Sequence, residues 1–326
     1  MSLTADLAEV PVIHGHELPV HRTVDSGGHI PTIAKIFVTF LRMESKLQIH
    51  AEYDTLTGMD QGLWPRFYLQ MAALGQLTIG QMGMDEKLEQ VRTVLMPELE
   101  QLHRSYAAIQ QNIQEYESGV TSGKYYQVKA GGHTSLDRSV ELTIRNDAKQ
   151  FIIQAKLVYV AFLNSEFLSD GGFSLKTYGL TKKLTQLKEQ YGKSKDPQYL
   201  PLLNVLEKAN ALFLNELTDL RGDIEHQSFA IDKFELIKQD GGATVQQPLL
   251  RGIILSEKVS FIYENLLHFI EKMMAYYIGL NIERLLPGVA QFCVDDQFDY
   301  SQQRYKYTFA FAGAPTSCTA RLCLYD

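Results

Sequence analysis

Four stretches of this sequence place apolar residues three and four positions apart, a spacing that puts them on one face of an α-helix. They cover residues 151–163, 180–191, 202–220 and 259–278. Short links, or one predicted β-hairpin around Asp240-Gly241-Gly242, join them. Antiparallel packing in one bundle is the most economical way to bury four such faces.

A fifth helical stretch precedes the bundle and carries a heptad pattern. Two series of apolar residues run along it at seven-residue intervals: Leu95, Leu102, Ile109 and Tyr116, and Leu99, Tyr106 and Ile113. So few heptads do not indicate a separate coiled coil. We therefore expect this helix to pack on its own domain.

Alternation of apolar and polar residues predicts strands near both ends of the chain. An early hairpin is predicted at residues 36–51, and late strands at 305–311 and 320–324. Because an isolated hairpin is only marginally stable, we expect the late strands to pair with the early hairpin. Residues 140–144 also alternate and are predicted as a strand, with Asn146-Asp147 as the N-cap of the next helix.

These patterns predict an α+β fold that is mainly α. It combines an antiparallel four-helix bundle, an additional long helix and a small β-rich region built from the two terminal segments. We divide the chain into an N-terminal region at 1–145, which holds the hairpin and the heptad helix, and a helical bundle at 146–286. A C-terminal β segment at 287–326 is predicted to pack on the N-terminal region.

The composition is that of a soluble globular protein, with 45% hydrophobic and 21% charged residues. The sequence has no apolar stretch long enough for a membrane span, no secretory signal pattern and no CxxC pair among its three cysteines. We predict a cytoplasmic protein with reduced thiols and no membrane partner. Its net charge of −7 gives no general attraction to nucleic acid, so phosphate binding needs a local basic patch.

No cofactor and no metal site are predicted. The Gly-Gly pairs continue into neither a Gly-Lys-Ser/Thr nor a GxGxxG pattern, which excludes the common nucleotide-binding loops. His14 and His16 have no acidic or cysteine partner at ligand spacing, so a surface or loop position is favoured over metal binding. No DNA-binding motif is present either.

The segment LRGDIEH at residues 220–226 closes the third helix of the predicted bundle. Arg221 and His226 are five positions apart, which separates them by roughly 140° on a regular helix. They converge only if the arginine reaches round the helix or the backbone loosens. Gly222 is a poor interior helix residue, so we predict that the helix ends there and that Asp223 caps the next turn.

An imidazole beside a guanidinium suits phosphodiester cleavage, because histidine exchanges a proton near neutral pH and arginine holds a phosphate through a fork of donors. One pair is little for acid–base catalysis, but a symmetric dimer would bring two pairs together. The structural alternative is an ion pair of Arg221 with a nearby carboxylate, from Glu216, Asp219 or Glu225. His226 is then a surface or core residue.

The Arg221 to His226 segment, at the end of the third of four helices, resembles the R-x(4-6)-H signature of the HEPN superfamily (higher eukaryote and prokaryote nucleotide-binding domains). The resemblance covers about residues 146–286. It implies a dimer of helical bundles and, in active members, metal-independent endoribonuclease chemistry in which the RNA 2′-hydroxyl attacks the adjacent phosphate. By this resemblance Arg221 binds and polarises the phosphate, and His226 transfers protons. Family members commonly carry Asn after the arginine; Gly222 stands there, and Asp223 is the candidate supporting residue.

Lysines crowd the second bundle helix and its exit: Lys176, Lys182, Lys183, Lys188, Lys193 and Lys195. We predict that Lys182, Lys183 and Lys188 bind the RNA backbone, with a solvated helix face as the alternative.

The leading functional prediction is a HEPN-like, metal-independent endoribonuclease that acts as a homodimer in a toxin or defence setting. The alternative is a non-catalytic HEPN-like interaction or dimerisation module. A metal-dependent hydrolase is disfavoured because the sequence shows no cluster of histidine and carboxylate ligands.

Overall fold

The structure, a computed structural model, describes eight ranges of the chain: residues 84–128, 134–137, 139–168, 180–193, 199–239, 242–285, 290–294 and 307–311. All of them belong to one compact unit, Gln48–Asp326. The predicted early hairpin, the predicted strand at 320–324, and His14 and His16 lie outside the described residues.

The heptad pattern forms a long helix. Helix α1 (Met84–Gln90) passes through a π-helical turn (Val91–Leu95) into α2 (Met96–Thr121), with Pro97 in the first turn of α2. All the heptad residues are buried except Tyr106, which is half-buried and stacks on Tyr263 with 4.1 Å between ring centroids. The prediction that this helix packs on its own domain is therefore confirmed.

The next helix begins earlier than the sequence predicts. After a short hairpin, β1 (Tyr126–Val128) and β2 (Thr134–Leu136), helix α3 spans Ser139–Asn164. The predicted strand at 140–144 and the predicted N-cap at Asn146-Asp147 are therefore wrong. Ile144 and Ala148 are buried and extend the helical spacing of apolar residues towards the N-terminus. The prediction failed because apolar residues that alternate over five positions also stand at i and i+4, which is a helical spacing.

The start of α3 is held by Asp137. Its Oδ1 accepts a hydrogen bond from the Ser139 backbone N–H at 2.9 Å. This bond lowers the pKa of the Asp137 carboxyl, because it favours the charged form. A carboxylate just before the first turn also suits the positive end of the helix dipole.

The remaining helices follow the predicted apolar stretches: α4 (Leu180–Lys193), α5 (Leu200–Ala209), a π-helical turn (Asn210–Leu214), α6 (Asn215–Glu225) and α7 (Leu255–Leu285). The apolar residues predicted for α7 are buried. Leu212 is an exception to the face predicted for the third stretch, since it is 55% exposed. A π-helical turn takes more residues than an α-turn, so the buried face shifts there.

Helices α3 and α7 lie at the centre of the helical assembly, and α2 packs against both. The α2–α3 pair is antiparallel: Asn112 bonds Asp147 at 2.9 Å, whereas Gln154 bonds Glu98 further towards the start of α2 at 2.6 Å. Helix α5 packs on α7 and α4, and α6 packs on α3. These contacts place α6 on the side of α3.

The strands in the described residues form two-stranded antiparallel pairs. The predicted hairpin around residues 240–242 is confirmed as β3 (Glu235–Gln239) with β4 (Gly242–Gln246). The others are β5 (Leu249–Leu250) with β6 (Ile253–Ile254), and β7 (Ala290–Val294) with β8 (Tyr307–Phe311). Residues 307–311 of the predicted late strand thus pair with residues 290–294. The predicted pairing with the early hairpin stays a prediction, because that hairpin lies outside the described ranges.

The structure confirms a mainly helical α+β fold. The division into three regions stays a prediction. None of the helices in the described ranges combines the length and the apolarity that a bilayer span requires.

The packing of Gly119 in α2 yields a prediction. A Cβ at this position would overlap the ring of Tyr125, which contacts the buried Tyr116 ring at 5.7 Å between centroids. We expect Gly119→Ala to lower the free energy of unfolding by about 1–3 kcal/mol, because the displaced ring disturbs the packing. Chemical denaturation measures the change.

The matched control is the same substitution in a Tyr125→Ala background. There the clash is absent, and alanine should instead stabilise the helix by up to about 1 kcal/mol relative to glycine. Equal losses in both backgrounds would contradict the proposed clash.

Candidate functional site

The third predicted helix does not end at Gly222. Helix α6 continues to Glu225, and the His226 backbone N–H donates to the Gly222 carbonyl at 2.9 Å. The predicted helix end at Gly222 is therefore wrong. Leu217 and Leu220 are buried in the same helix, and their tertiary packing outweighs the small helical penalty of one glycine.

The helix ends instead at Glu225, with His226 as its C-cap. Gln227 adopts a positive φ of 59°, and the backbone N–H groups of Ser228 and Phe229 donate to the Asp223 carbonyl at 2.8 and 3.0 Å. These bonds satisfy a carbonyl of the last turn while the chain reverses. The left-handed residue is thus a glutamine, which the sequence pattern did not single out.

Arg221 and His226 are not brought together within one chain. The Arg221 side chain is 28% exposed, and its Nη1 lies 2.9 Å from Glu225 Oε1. His226 is exposed, and within the described part of the chain its imidazole makes no hydrogen bond or ion pair. The ion pair with Glu225 confirms one of the partners predicted by the structural alternative.

Asp223 has a different role from the predicted cap. Its Oδ2 accepts from Arg251 Nη2 at 2.5 Å, and both side chains are partly exposed. Arg251 stands in the tight turn between β5 and β6 with a positive φ of 54°. The pair therefore ties the end of α6 to this turn, across 28 residues that no local pattern connects.

The predicted RNA-binding lysines lie on α4. Lys182 and Lys183 fall within the helix, but their side chains are outside the described part of the chain. Lys188 Nζ lies 2.6 Å from Glu207 Oε2 on α5. Since a carboxylate already balances this ammonium, the charge of Lys188 attracts a phosphate less strongly.

An ion pair between the buried Lys258 and the partly exposed Glu216 fixes α6 against α7. Lys258 Nζ lies 2.5 Å from Glu216 Oε2, and the lysine side chain is only 3% exposed. A buried ammonium without its partner would pay a large desolvation penalty. Glu216 therefore holds the helix that carries Arg221 in one position relative to the core.

The titratable residues of the motif do not form a metal site. The described ranges contain no group of three or more histidine, cysteine, aspartate or glutamate side chains placed to hold a metal ion. One helix end thus carries a guanidinium from Arg221, a carboxylate from Asp223 and an imidazole from His226. Such groups can bind a phosphate and exchange protons.

Gly222 offers a test of the helix path. A Cβ at this position would meet nothing within 4 Å, and the backbone is helical. We expect Gly222→Ala to raise the free energy of unfolding by about 0.5–1 kcal/mol, because alanine loses less entropy in a helix. Thermal or chemical denaturation measures this change in the free energy of unfolding.

Gly252 is the matched control for this test. It also has open space around it, but its φ is +81°. Gly252→Ala should therefore destabilise the protein. If Gly222→Ala were destabilising as well, the helix would not run through Gly222.

The Glu216–Lys258 pair yields a second stability prediction. Glu216→Ala leaves the Lys258 ammonium buried and unpaired, and we expect a loss of about 3 kcal/mol in the free energy of unfolding. The double variant Glu216→Ala/Lys258→Met removes both charges and should recover most of that loss. A double variant no more stable than Glu216→Ala alone would show that the buried charge is not the cause.

Comparison with protein-family models, with curated proteins and with solved structures found no match to this chain.

Proposed function

We propose that this chain is a HEPN-like, metal-independent endoribonuclease that cleaves single-stranded RNA as a homodimer. One observation carries the proposal: the exposed imidazole of His226, which has no partner among the described residues, caps the end of a firmly packed helix five residues after the half-buried Arg221. The proposal includes the antiparallel four-helix HEPN bundle, and it extends to a toxin or defence setting on the resemblance alone.

The geometry of one chain supports the proposed dimer. Arg221 pairs with Glu225, and the helix runs unbroken from Arg221 to Glu225. Five positions along a helix correspond to a rotation of roughly 140°, so the side chains of Arg221 and His226 leave it in different directions. A second copy related by a two-fold axis would place a further arginine and histidine opposite the first. The composite site would then contain both the phosphate ligands and the proton carriers.

In the proposed reaction the 2′-hydroxyl of RNA attacks the adjacent phosphorus. One histidine accepts the 2′-hydroxyl proton, and another donates a proton to the 5′-oxygen as the P–O5′ bond breaks. Arg221 stabilises the charge that develops on the non-bridging oxygens. The products are a 2′,3′-cyclic phosphate and a 5′-hydroxyl end, and each step balances without an external cofactor.

The Glu225 contact does not prevent phosphate binding. The Glu225 side chain is 57% exposed, and ion pairs at such positions contribute little to stability, typically below about 1 kcal/mol. A phosphate that accepts two hydrogen bonds from the guanidinium can therefore replace the carboxylate with little loss of stability.

A second candidate is a non-catalytic interaction or dimerisation module. Two ion pairs favour it, because Arg221 is balanced by Glu225 and Asp223 by Arg251. A surface with balanced charges suits a protein partner better than an RNA phosphate.

The proposal predicts cleavage of mixed single-stranded RNAs by the purified protein in EDTA, with 2′,3′-cyclic phosphate ends. Arg221→Ala and His226→Ala should each lower the rate by at least about 100-fold, because they remove charge stabilisation or proton transfer. Arg104→Ala is the matched control, since Arg104 also pairs with a carboxylate four residues away but lies on α2.

Cleavage retained by either site variant would overturn the roles given to these residues. Absence of cleavage by the wild type on every RNA would favour the interaction module. Mixing the wild type with an equal amount of His226→Ala adds a test of the dimer. If the composite site needs the histidines of both protomers, only dimers of two wild-type chains cleave and the activity falls to about one quarter, whereas independent sites would keep about one half.

A further inference from the structure

A cleft of about 360 Å³ lies between α3 and the segment after His226. Arg145, Asn146 and Lys149 line it from α3, and Phe229 and Ile231 line it from the other side. A second cleft, of about 500 Å³, shares Arg145 and Ile231 with it and extends towards β3 and β4. The two clefts therefore adjoin at Arg145.

The first cleft is basic, although the protein as a whole is acidic. Its charged lining residues are Arg145 and Lys149, which stand four residues apart on α3. In contrast, the second cleft mixes Lys233 with Asp232 and Glu235, so its charges largely cancel. An anionic group is thus favoured in the first cleft and not in the second.

The two cations of the first cleft differ in their partners. Arg145 Nη2 donates to the Asp232 carbonyl at 2.8 Å and pairs with Glu141 at 2.9 Å, which holds the guanidinium in place and balances its charge. Its buried Nε has no hydrogen-bond partner among the described residues. Lys149 has neither a carboxylate nor a hydrogen-bond acceptor in the described ranges, so it is the uncompensated charge.

An aromatic ring completes the cleft. Phe229 is half-buried, and the Lys149 ammonium lies 6.0 Å from its ring centroid. The cleft therefore combines a cation, an aromatic ring and the side-chain amide of Asn146. Proteins bind single-stranded nucleic acid with such groups: the cation contacts a phosphate, the ring stacks on a base and the amide forms hydrogen bonds to it.

The cleft lies next to the motif in the chain. Phe229 follows His226 by three residues, and its backbone N–H is bonded to Asp223. The motif and the cleft are therefore neighbours along the chain, so one RNA strand could contact both. This continuity favours a nucleotide within a strand over an unrelated small anion.

We infer that this cleft binds one nucleotide of single-stranded RNA, with the phosphate on Lys149 and Arg145 and the base stacked on Phe229. The inference rests on the proposed function, because it gives the substrate strand of that site a second point of attachment. It adds a substrate-positioning surface on α3, which the sequence pattern did not indicate.

The experiment measures binding apart from cleavage. A fluorescein-labelled single-stranded RNA with 2′-O-methyl riboses has no attacking hydroxyl, so its anisotropy reports binding alone. We expect Lys149→Gln to weaken binding about tenfold and to reduce the slope of log affinity against log salt by about 0.7, the value for one phosphate contact on a single strand. Lys208→Gln, at an exposed lysine of α5, is the matched control and should change neither.

Variants of the ring separate stacking from a loss of folding. Phe229→Leu keeps an apolar side chain but removes the stacking face, and roughly tenfold weaker binding is expected. Phe229→Trp should restore the affinity. Equal unfolding temperatures for all variants establish that the fold is intact.

Unchanged affinity for RNA in Lys149→Gln and Phe229→Leu would overturn the inference, even if the wild type cleaves RNA. If the protein cleaves no RNA but these substitutions weaken RNA binding, the result supports the nucleotide-binding cleft and contradicts the proposed nuclease activity. A parallel titration with adenosine monophosphate separates the two sources of the nucleotide. If the variants weaken binding of the mononucleotide while the RNA oligomer does not bind, the assignment to a strand fails.

Discussion

Three helical segments meet at the ring of Phe269 on α7. Phe162 of α3 packs edge-on against it with 6.0 Å between centroids, and Phe213 of the π-helical turn does so at 6.3 Å. All three rings are buried, and the edge-to-face geometry pairs the positive edge of one ring with the negative face of another. Because the turn that holds Phe213 leads directly into α6, this cluster positions the helix that carries Arg221 and His226.

In contrast to the apolar aromatic cluster, the contact between α2 and α7 contains several hydrogen bonds. His103 Nδ1 and the Tyr263 hydroxyl are 2.7 Å apart, and Gln110 Nε2 donates to Ser260 at 3.0 Å and to the Ser256 carbonyl. Burial lowers the pKa of His103 and raises the pKa of Tyr263, so both groups favour their uncharged forms. Directional hydrogen bonds of this kind set the register of two helices, which apolar packing alone leaves less specific.

The end of α6 combines a rigid support with exchangeable surface contacts. The buried Lys258 ammonium, paired with Glu216, anchors the helix, whereas both members of the Arg221–Glu225 and Asp223–Arg251 pairs are partly exposed. Exposed pairs exchange partners at little cost, and buried ones do not. A binding or catalytic site needs this combination, because its groups must be held in place and yet remain able to accept a ligand.

The spacing of apolar residues in the sequence predicts most of the helices and most of the residues that they bury. The seven-residue series from Leu95 to Tyr116 and the face from Val259 to Ile278 are buried as their spacing predicts. This works because side-chain periodicity is local, so a few consecutive residues report the burial of a face. Short patterns fail for the same reason: residues 140–144 fit a strand and a helix equally well, and only packing distinguishes the two.

Tertiary structure alone decided the geometry of the site. Gly222 continues the helix because Leu217 and Leu220 are held in the core, against the local preference of glycine. The partner of Asp223 is 28 residues away, and Lys149 meets Phe229 from 80 residues away. Such contacts depend on where separate helices and strands cross. The crossing points follow from the joint burial of many residues, so no single segment of the sequence encodes them.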